Sequence, residues 1–469
     1  MPSHHREQPM QNRRRDSSRK APATLVYDVK ATIPFGGSCG LVARSLRHSL
    51  RDHDHAVHEM LVPVRDKTSA ITLPRRRARS GRGVHVVFEE LFPRCVRNEQ
   101  FVQHPSLVFF NLPFFRVPEH CSADGLIFNS KYLMDCFRYE AFAKNVTPPP
   151  MTYASLELPL HDFPDGYPSY GVRIDRRALG LLADQVYLGH ALRSGKFDCF
   201  ATLCIIHHLN QLASARSTKR FLLLVPALDF PALQAALRDM PIPPDTIESF
   251  LPVGHLDNRS VVSVMRLAKF SLCYDIFVEA FGFYPVESVY CGCPVFTNGN
   301  GNLRHLLPAG AGIEVREDFG MYFGPIDARV AAYRSVAERV FRVVTQGGGA
   351  ASCRRGVRYI DQHYNQAAFA QQIGRMIRAV HELRRTKTVR KPPADAARVA
   401  RVSPYLRMAD WERGRFVTDL GQVEVAAPVA TRWRQLLSAT KLPPDLSGPA
   451  IPRSIGALRG HWPSTDRVP

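Results

Sequence analysis

The stretch from Phe270 to Phe296 constrains the fold more than any other part of the chain. Phe270-Ser-Leu-Cys-Tyr274 is an apolar run of strand length, and the loop after it carries Glu279 and Gly282. Pro285 fits the first turn of a helix, where its missing N–H costs nothing. Glu287 then lies on that turn and points toward the same cleft as Glu279. Gly282 lets backbone amides approach a ligand that a side chain would block. A small apolar segment ending in Gly292-Cys293-Pro294-Val295 follows. Carboxylates accept hydrogen bonds from sugar or ribose hydroxyls, and free amides at a helix start favour phosphate oxygens. A ligand with both groups suits such a site.

The same alternation runs through much of the chain. Thr24–Val29, Val86–Phe88, Leu107–Phe110, Gly125–Phe128, Gln185–Leu188, Phe221–Val225 and Phe250–Val253 read as short strands. Helical periodicity marks Leu41, Val42, Leu46 and Leu50, then Thr202–Leu212, Ser260–Leu267, 328–344 and 365–384. Strands alternating with helices of this length imply a doubly wound α/β fold on parallel sheets. Ligands bind at the carboxyl ends of such strands, where Glu279 and Arg193 would sit. Pro148–Pro150 and Asp162–Gly171 are punctuation between periodic segments, and they mark the expected interdomain connection. The strand at Thr24 is followed by Gly36-Gly37 and a helix, the layout of a phosphate cradle, without a G-x-G-x-x-G or a P-loop Lys-Ser/Thr. Asp52-His53-Asp54 imitates a metal-binding D-x-D but falls in a helix-exit loop, so it reads as a solvated turn.

Glu279-Ala-Phe-Gly282-Phe-Tyr-Pro285-Val-Glu287-Ser-Val-Tyr-Cys-Gly292-Cys-Pro294-Val295 resembles the donor-binding signature of retaining GT-B glycosyltransferases of the family-4 type, E-G-F-G-x-x-x-x-E-A-x-A-x-G-x-P-V. The resemblance covers residues 24 to about 384, and is strong over 250–310. It implies two facing Rossmann-like domains with a nucleotide-sugar cleft between them. The expected division is a basic tail (1–22), an acceptor-side domain (23–170), a nucleotide-sugar-binding domain (171–384) and an appendage (385–469). The implied activity is transfer of a sugar, of the hexosyltransferase type, from a nucleotide-sugar donor to an acceptor the sequence does not identify, with retention at the anomeric carbon. No metal and no other cofactor is implied. By resemblance, Arg193 and Lys196 neutralise the leaving diphosphate, and the amides of Gly282 and Phe283 hold the donor. Glu287 takes the ribose hydroxyls, and Glu279 sits beside the sugar and its developing positive charge. Gly36 and Gly37 face the cleft. The chain departs from the pattern at Asn111 (a His in many members, with His104 the nearest), His190 (Arg), Asn302 and His305.

The formal charge is +20, which invites a nucleic-acid reading. The surplus sits in residues 1–22, 75–82 and 384–469, leaving the core close to neutral. Such ends suit peripheral contact with an anionic membrane surface or an acidic acceptor, and argue against nucleic acid as the partner. No apolar run is long enough to span a bilayer. Ten cysteines without a C-x-x-C pair fit free thiols in the cytoplasm. A GT-B-shaped binding protein without turnover is the alternative, motivated by the four departures. In the appendage, Arg415–Thr418, Val423–Val425 and Val429–Leu437 predict a small β-β-α module, with a faint resemblance to peptide-binding modules of modified-peptide pathways.

Overall fold

The computed structural model describes residues 21–28, 37–62, 70–71, 83–95, 104–386 and 403–438. The first sheet contains β1 (Ala21–Asp28), β2 (His55–Val62), β3 (Val84–Phe88), β4 (Ser106–Phe110), β5 (Gly125–Phe128) and β6 (Met151–Tyr153), in the order β2-β1-β3-β4-β5-β6 and parallel throughout. Every residue of β3, β4 and β5 is buried, the condition of a parallel sheet covered on both faces. Pro148–Pro150 lead directly into β6, so they belong to this sheet rather than to the interdomain connection expected there. Only the later stretch, Asp162–Gly171, lies between the two sheets.

The second sheet contains β7 (Tyr187–His190), β8 (Phe221–Pro226), β9 (Phe250–Val253), β10 (Phe270–Cys273), β11 (Val295–Thr297) and β12 (Ile313–Val315), ordered β12-β11-β10-β7-β8-β9 and again parallel. Gly189 is needed here, because a Cβ would meet the Phe270 ring at 2.3 Å. The two sheets turn their carboxyl ends toward each other. Ser130, just past β5, caps the helix Lys131–Ala143 and donates its hydroxyl to the Ala280 carbonyl, past β10, at 2.7 Å.

The helix Gln366–Thr386 leaves the second sheet and packs on the helix Gly37–Asp52 of the first. Phe369, Ile373, Ile377 and Val380 bury its apolar stripe, each contributing roughly 1.5–3 kcal/mol. Gln366 donates to Ser49 Oγ at 3.0 Å, and Arg384 pairs with Asp124 at 2.8 Å. His53, expected in a solvated turn, instead bonds the Ala370 carbonyl at 2.8 Å. Its ring lies so close to Gly374 that a Cβ there would overlap it at 2.2 Å. A further helix, Gly349–His363, has no counterpart in the periodicity reading, because its apolar positions are few and scattered among arginines.

The carboxy-terminal segment holds three strands where two were expected: β13 (Leu406–Asp410), β14 (Arg415–Thr418) and β15 (Gly421–Glu424), antiparallel, followed by the helix Ala427–Ser438. β13 escapes the sequence because Arg407 and Asp410 break its apolar pattern. Both are there for polar contacts, Arg407 inward and Asp410 in the turn to Arg413. No described helix is long and apolar enough to cross a membrane.

Candidate active site

β7 and β10 are neighbours, yet the chain runs away from them in opposite directions, to β8 and β9 on one side and β11 and β12 on the other. The crevice at the carboxyl ends of such a strand pair is where open α/β sheets bind ligands. The loop after β7 carries Arg193 and Lys196, and the loop after β10 carries Asp275 and Glu279. Main-chain bonds join the two loops, Ile276 N to Lys196 O at 2.9 Å and Asp198 N to Tyr274 O at 2.6 Å.

Four charges converge there. The Arg193 guanidinium donates to both Asp275 and Glu279. The Lys196 ammonium lies 3.6 Å from Glu279 and 4.9 Å above the Phe277 ring. Asp275 is fully enclosed and Arg193 and Glu279 nearly so, whereas the Lys196 side chain keeps 38% of its surface open. Lys196 is therefore the cation an incoming anion meets first. Burial works to raise the Glu279 pKa, but Arg193 and Lys196 outweigh it and hold the carboxyl below its usual range. Burial lowers Lys196, with Glu279 opposing. Burial also disfavours the Arg193 cation, and the Glu279 charge more than restores it.

The helix Phe283–Tyr290 starts at Gly282, whose φ of +105° is left-handed. A Cβ there would meet Leu306 at 2.9 Å. The first amides of the helix have no partner within it. Pro285 stands in the first turn, as its chemistry requires. Glu287 follows on the buried face, 5% exposed, and burial pushes its carboxyl up to about 7. Its Oε1 has no hydrogen-bond partner. An unpartnered buried oxygen is costly, and ligand hydroxyls would satisfy it.

His190 stands where the resemblance has an arginine. It ends β7 with its ring enclosed against the Tyr284 hydroxyl, and burial drives its pKa down to about 3. A neutral core imidazole does not hold a phosphate. Tyr284 also accepts from Leu192 N at 2.7 Å, so it fixes the start of the Arg193 loop.

The asparagine turn after β11 braces the whole strip. Asn298 and Asn300 donate to the Asp275 carbonyl at 2.9 and 3.1 Å. Asn302 N donates to the Glu279 carbonyl at 2.8 Å, and Asn302 Nδ2 to the Phe281 carbonyl at 2.8 Å. Asn302, read as a departure at a ligand contact, thus serves the main chain. His305 stacks on Tyr132, with ring centroids 6.0 Å apart. Asp275, Tyr284 and Ser130 were missed as site residues. Asp275 had a signal, as the carboxylate nearest the end of a buried strand.

No family model and no curated protein sequence matches the chain. Solved structures do. The α,α-trehalose-phosphate synthase (UDP-forming) from Burkholderia vietnamiensis is similar with a TM-score of 0.53 at 10% identity, over 79% of this chain and all of that one. Sucrose-phosphate synthase from Thermosynechococcus elongatus is similar at 0.51 and 14%, over 77% and 100%. HepE from Anabaena, solved in complex with UDP and glucose, is similar at 0.50 and 11%, over 76% and 100%. The fold is GT-B.

In a GT-B molecule the first sheet supplies the other wall of the cleft. Gly36 lies outside the described residues, and Gly37 opens the helix Gly37–Asp52. Asn111, at the end of β4, is buried and bonded inward, donating to Cys39 Sγ at 3.5 Å and accepting from Asn129 at 3.2 Å. His104 precedes β4 and so sits at the amino end of the sheet, away from the cleft. Glu89 follows β3 at the switch point of this sheet. Its Oε1 accepts from Leu112 N at 2.8 Å and its Oε2 has no partner.

Burial pushes Glu89 up to about 8. Because its folded pKa is raised above the unfolded value, the native state holds a proton that the unfolded state has lost. Stability from this group falls as pH rises through 4.5 toward 8. The buried His85, His120 and His190, pushed down to about 4, 4 and 3, oppose that trend only below about 6.5. Between pH 6.5 and 8 the expected loss from Glu89 is about 2 kcal/mol, and Glu287, pushed up to about 7, adds a smaller loss in the same direction. Urea unfolding of Glu89→Gln at both pH values checks this, and the variant should lack most of the slope.

Proposed function

We propose that this protein is a nucleotide-sugar-dependent glycosyltransferase of the family-4 type that works with retention at the anomeric carbon. The observation that carries the reading is the convergence of Arg193 and Lys196 on Glu279 at the switch point of the second sheet. The bond from the anomeric carbon to the diphosphate breaks, and the acceptor oxygen bonds to that carbon on the same face. The acceptor hydroxyl gives its proton to the departing diphosphate, so the step needs neither a metal nor a covalent nucleophile. Arg193 and Lys196 take up the diphosphate charge as it develops, in a site that excludes most water. Glu279, ionised by those cations, lies beside the developing positive charge on the sugar. Glu287 accepts from ribose hydroxyls, and the Gly282 and Phe283 amides meet the phosphate oxygens.

HepE binds UDP and glucose, and the Burkholderia enzyme is UDP-forming. Uridine nucleotides are accordingly the first donors to test. The second reading is a GT-B-shaped binding protein without turnover, motivated by the departures at Asn111, His190, Asn302 and His305. His190, Asn111 and Asn302 serve as core or main-chain supports, and His305 stacks on Tyr132. Calorimetric titration of nucleoside diphosphates and nucleotide sugars into the wild type and Glu287→Ala tests the donor site.

A further inference from the structure

The C-terminal module reaches into the same asparagine turn that braces the Glu279 loop. Asp419, in the β14–β15 turn, has a fully enclosed side chain. Its Oδ1 accepts from Gly301 N at 3.0 Å and from Arg304 Nη1 at 2.7 Å. Its Oδ2 accepts from the Tyr132 hydroxyl at 2.6 Å and from Arg304 Nη2 at 3.0 Å. Arg407, on β13, donates to the Asn298 carbonyl at 3.3 Å and to the Tyr322 hydroxyl at 3.3 Å, and lies 3.7 Å from Asp419. Both ends of the asparagine turn are thus gripped by the module. Tyr405 meanwhile packs edge-on against Tyr132 and Tyr139 of the first domain.

Gly301 carries the grip across. Its φ is +64°, it bridges Glu279, and a Cβ there would lie 2.5 Å from the Glu279 nitrogen and oxygen. Any shift of Gly301 therefore moves the Glu279 main chain. We propose that the C-terminal module is a brace for the donor loop, with Asp419 as the positioning residue that holds Gly301, and through it Glu279, in register with both domains. Its effect on turnover rests on the donor-site reading above. Asp419 touches no reacting atom. It supplies one carboxylate to an amide, a guanidinium and a hydroxyl drawn from two domains, an arrangement that fixes their relative positions.

The test compares full-length wild type with Asp419→Asn and Tyr132→Phe, the latter removing one bond from the carboxylate while keeping the ring. Hydrogen exchange in peptides spanning 275–286 and 298–305 should accelerate ~10-fold or more in Asp419→Asn and less in Tyr132→Phe, with β8 unchanged. Release of nucleoside diphosphate from an accepted donor should fall ~10–100-fold, because small misplacements at a reacting centre are costly. The dissociation constant for the free diphosphate should rise by less than turnover falls, since Glu287 still holds the ribose. Faster exchange confined to 403–438 overturns the brace, as does an equal loss of turnover and affinity. If Asp419→Asn does not fold, Tyr132→Phe decides the matter alone. A wild type that takes no nucleotide refutes the donor site, and the exchange pattern then decides the brace by itself.

Discussion

Replacing Arg193 with methionine should lower turnover of an accepted nucleotide sugar by ~10²–10³-fold, about 3–4 kcal/mol of barrier. Methionine keeps the length of the side chain and removes the charge proposed to meet the leaving diphosphate. The same change should destabilise the fold by about 3–5 kcal/mol, because Asp275 is left buried without its cation and Glu279 keeps only Lys196, 3.6 Å away. The two losses are separable. Adding Glu279→Gln removes one stranded carboxylate and should recover part of the stability while turnover stays low. The pH dependence follows from the depressed Glu279 pKa. Wild type draws stability from this pair above the unfolded carboxylate pKa and loses it as pH falls through the lower folded value. The single variant should lack that contribution and gain on the wild type in acid. Thermal unfolding at pH 4 and pH 7, with a diphosphate-release assay, measures both effects. Full activity in a folded Arg193→Met protein refutes the assigned role.

Gly301→Ala is expected to cost about 3 kcal/mol or more, and to reduce turnover with it. At φ +64° and ψ −133° a side chain carries strain of roughly 1–3 kcal/mol. The added methyl would also overlap the Glu279 backbone at 2.5 Å, an overpacking cost of similar size. Gly195→Ala supplies the control. Its φ is +67°, yet nothing lies within 4 Å of the new methyl, so only the left-handed penalty of roughly 1–2 kcal/mol applies. Comparable losses of stability at the two positions would mean that the Gly301–Glu279 contact does not constrain the loop.

The contrast between these glycines shows what the sequence could and could not tell. The strands at Leu107, Gly125, Phe221 and Phe270 are legible because buried parallel strands are apolar without interruption. The Glu279–Pro294 spacing is legible because the cleft imposes it locally. β2 is not, since His55, His58 and Glu59 dilute its pattern, and its pairing with β1 is decided by tertiary packing. Arg193 and Lys196 were found on the loop of β7, but His190 was read one step too far into that loop. A buried histidine and a loop histidine look alike until the Tyr284 hydroxyl is placed beside it. Asp419 carried no signal at all. Its role depends on contacts with Tyr132 and Gly301, more than a hundred residues away.

The central claim is that the crevice between β7 and β10 holds a nucleotide sugar with Glu287 on its ribose. Titration calorimetry with UDP and UDP-glucose, at pH 6 and pH 8, tests it most directly. In the proposed complex ionised Glu287 accepts the ribose hydroxyls, while the free carboxyl is pushed up to about 7. Binding should therefore release a proton at pH 6 and tighten as pH rises to 8, by up to ~10-fold. Glu287→Ala should weaken it ~10-fold or more. Binding that ignores both pH and Glu287, or none to any nucleoside diphosphate or nucleotide sugar, would contradict the account.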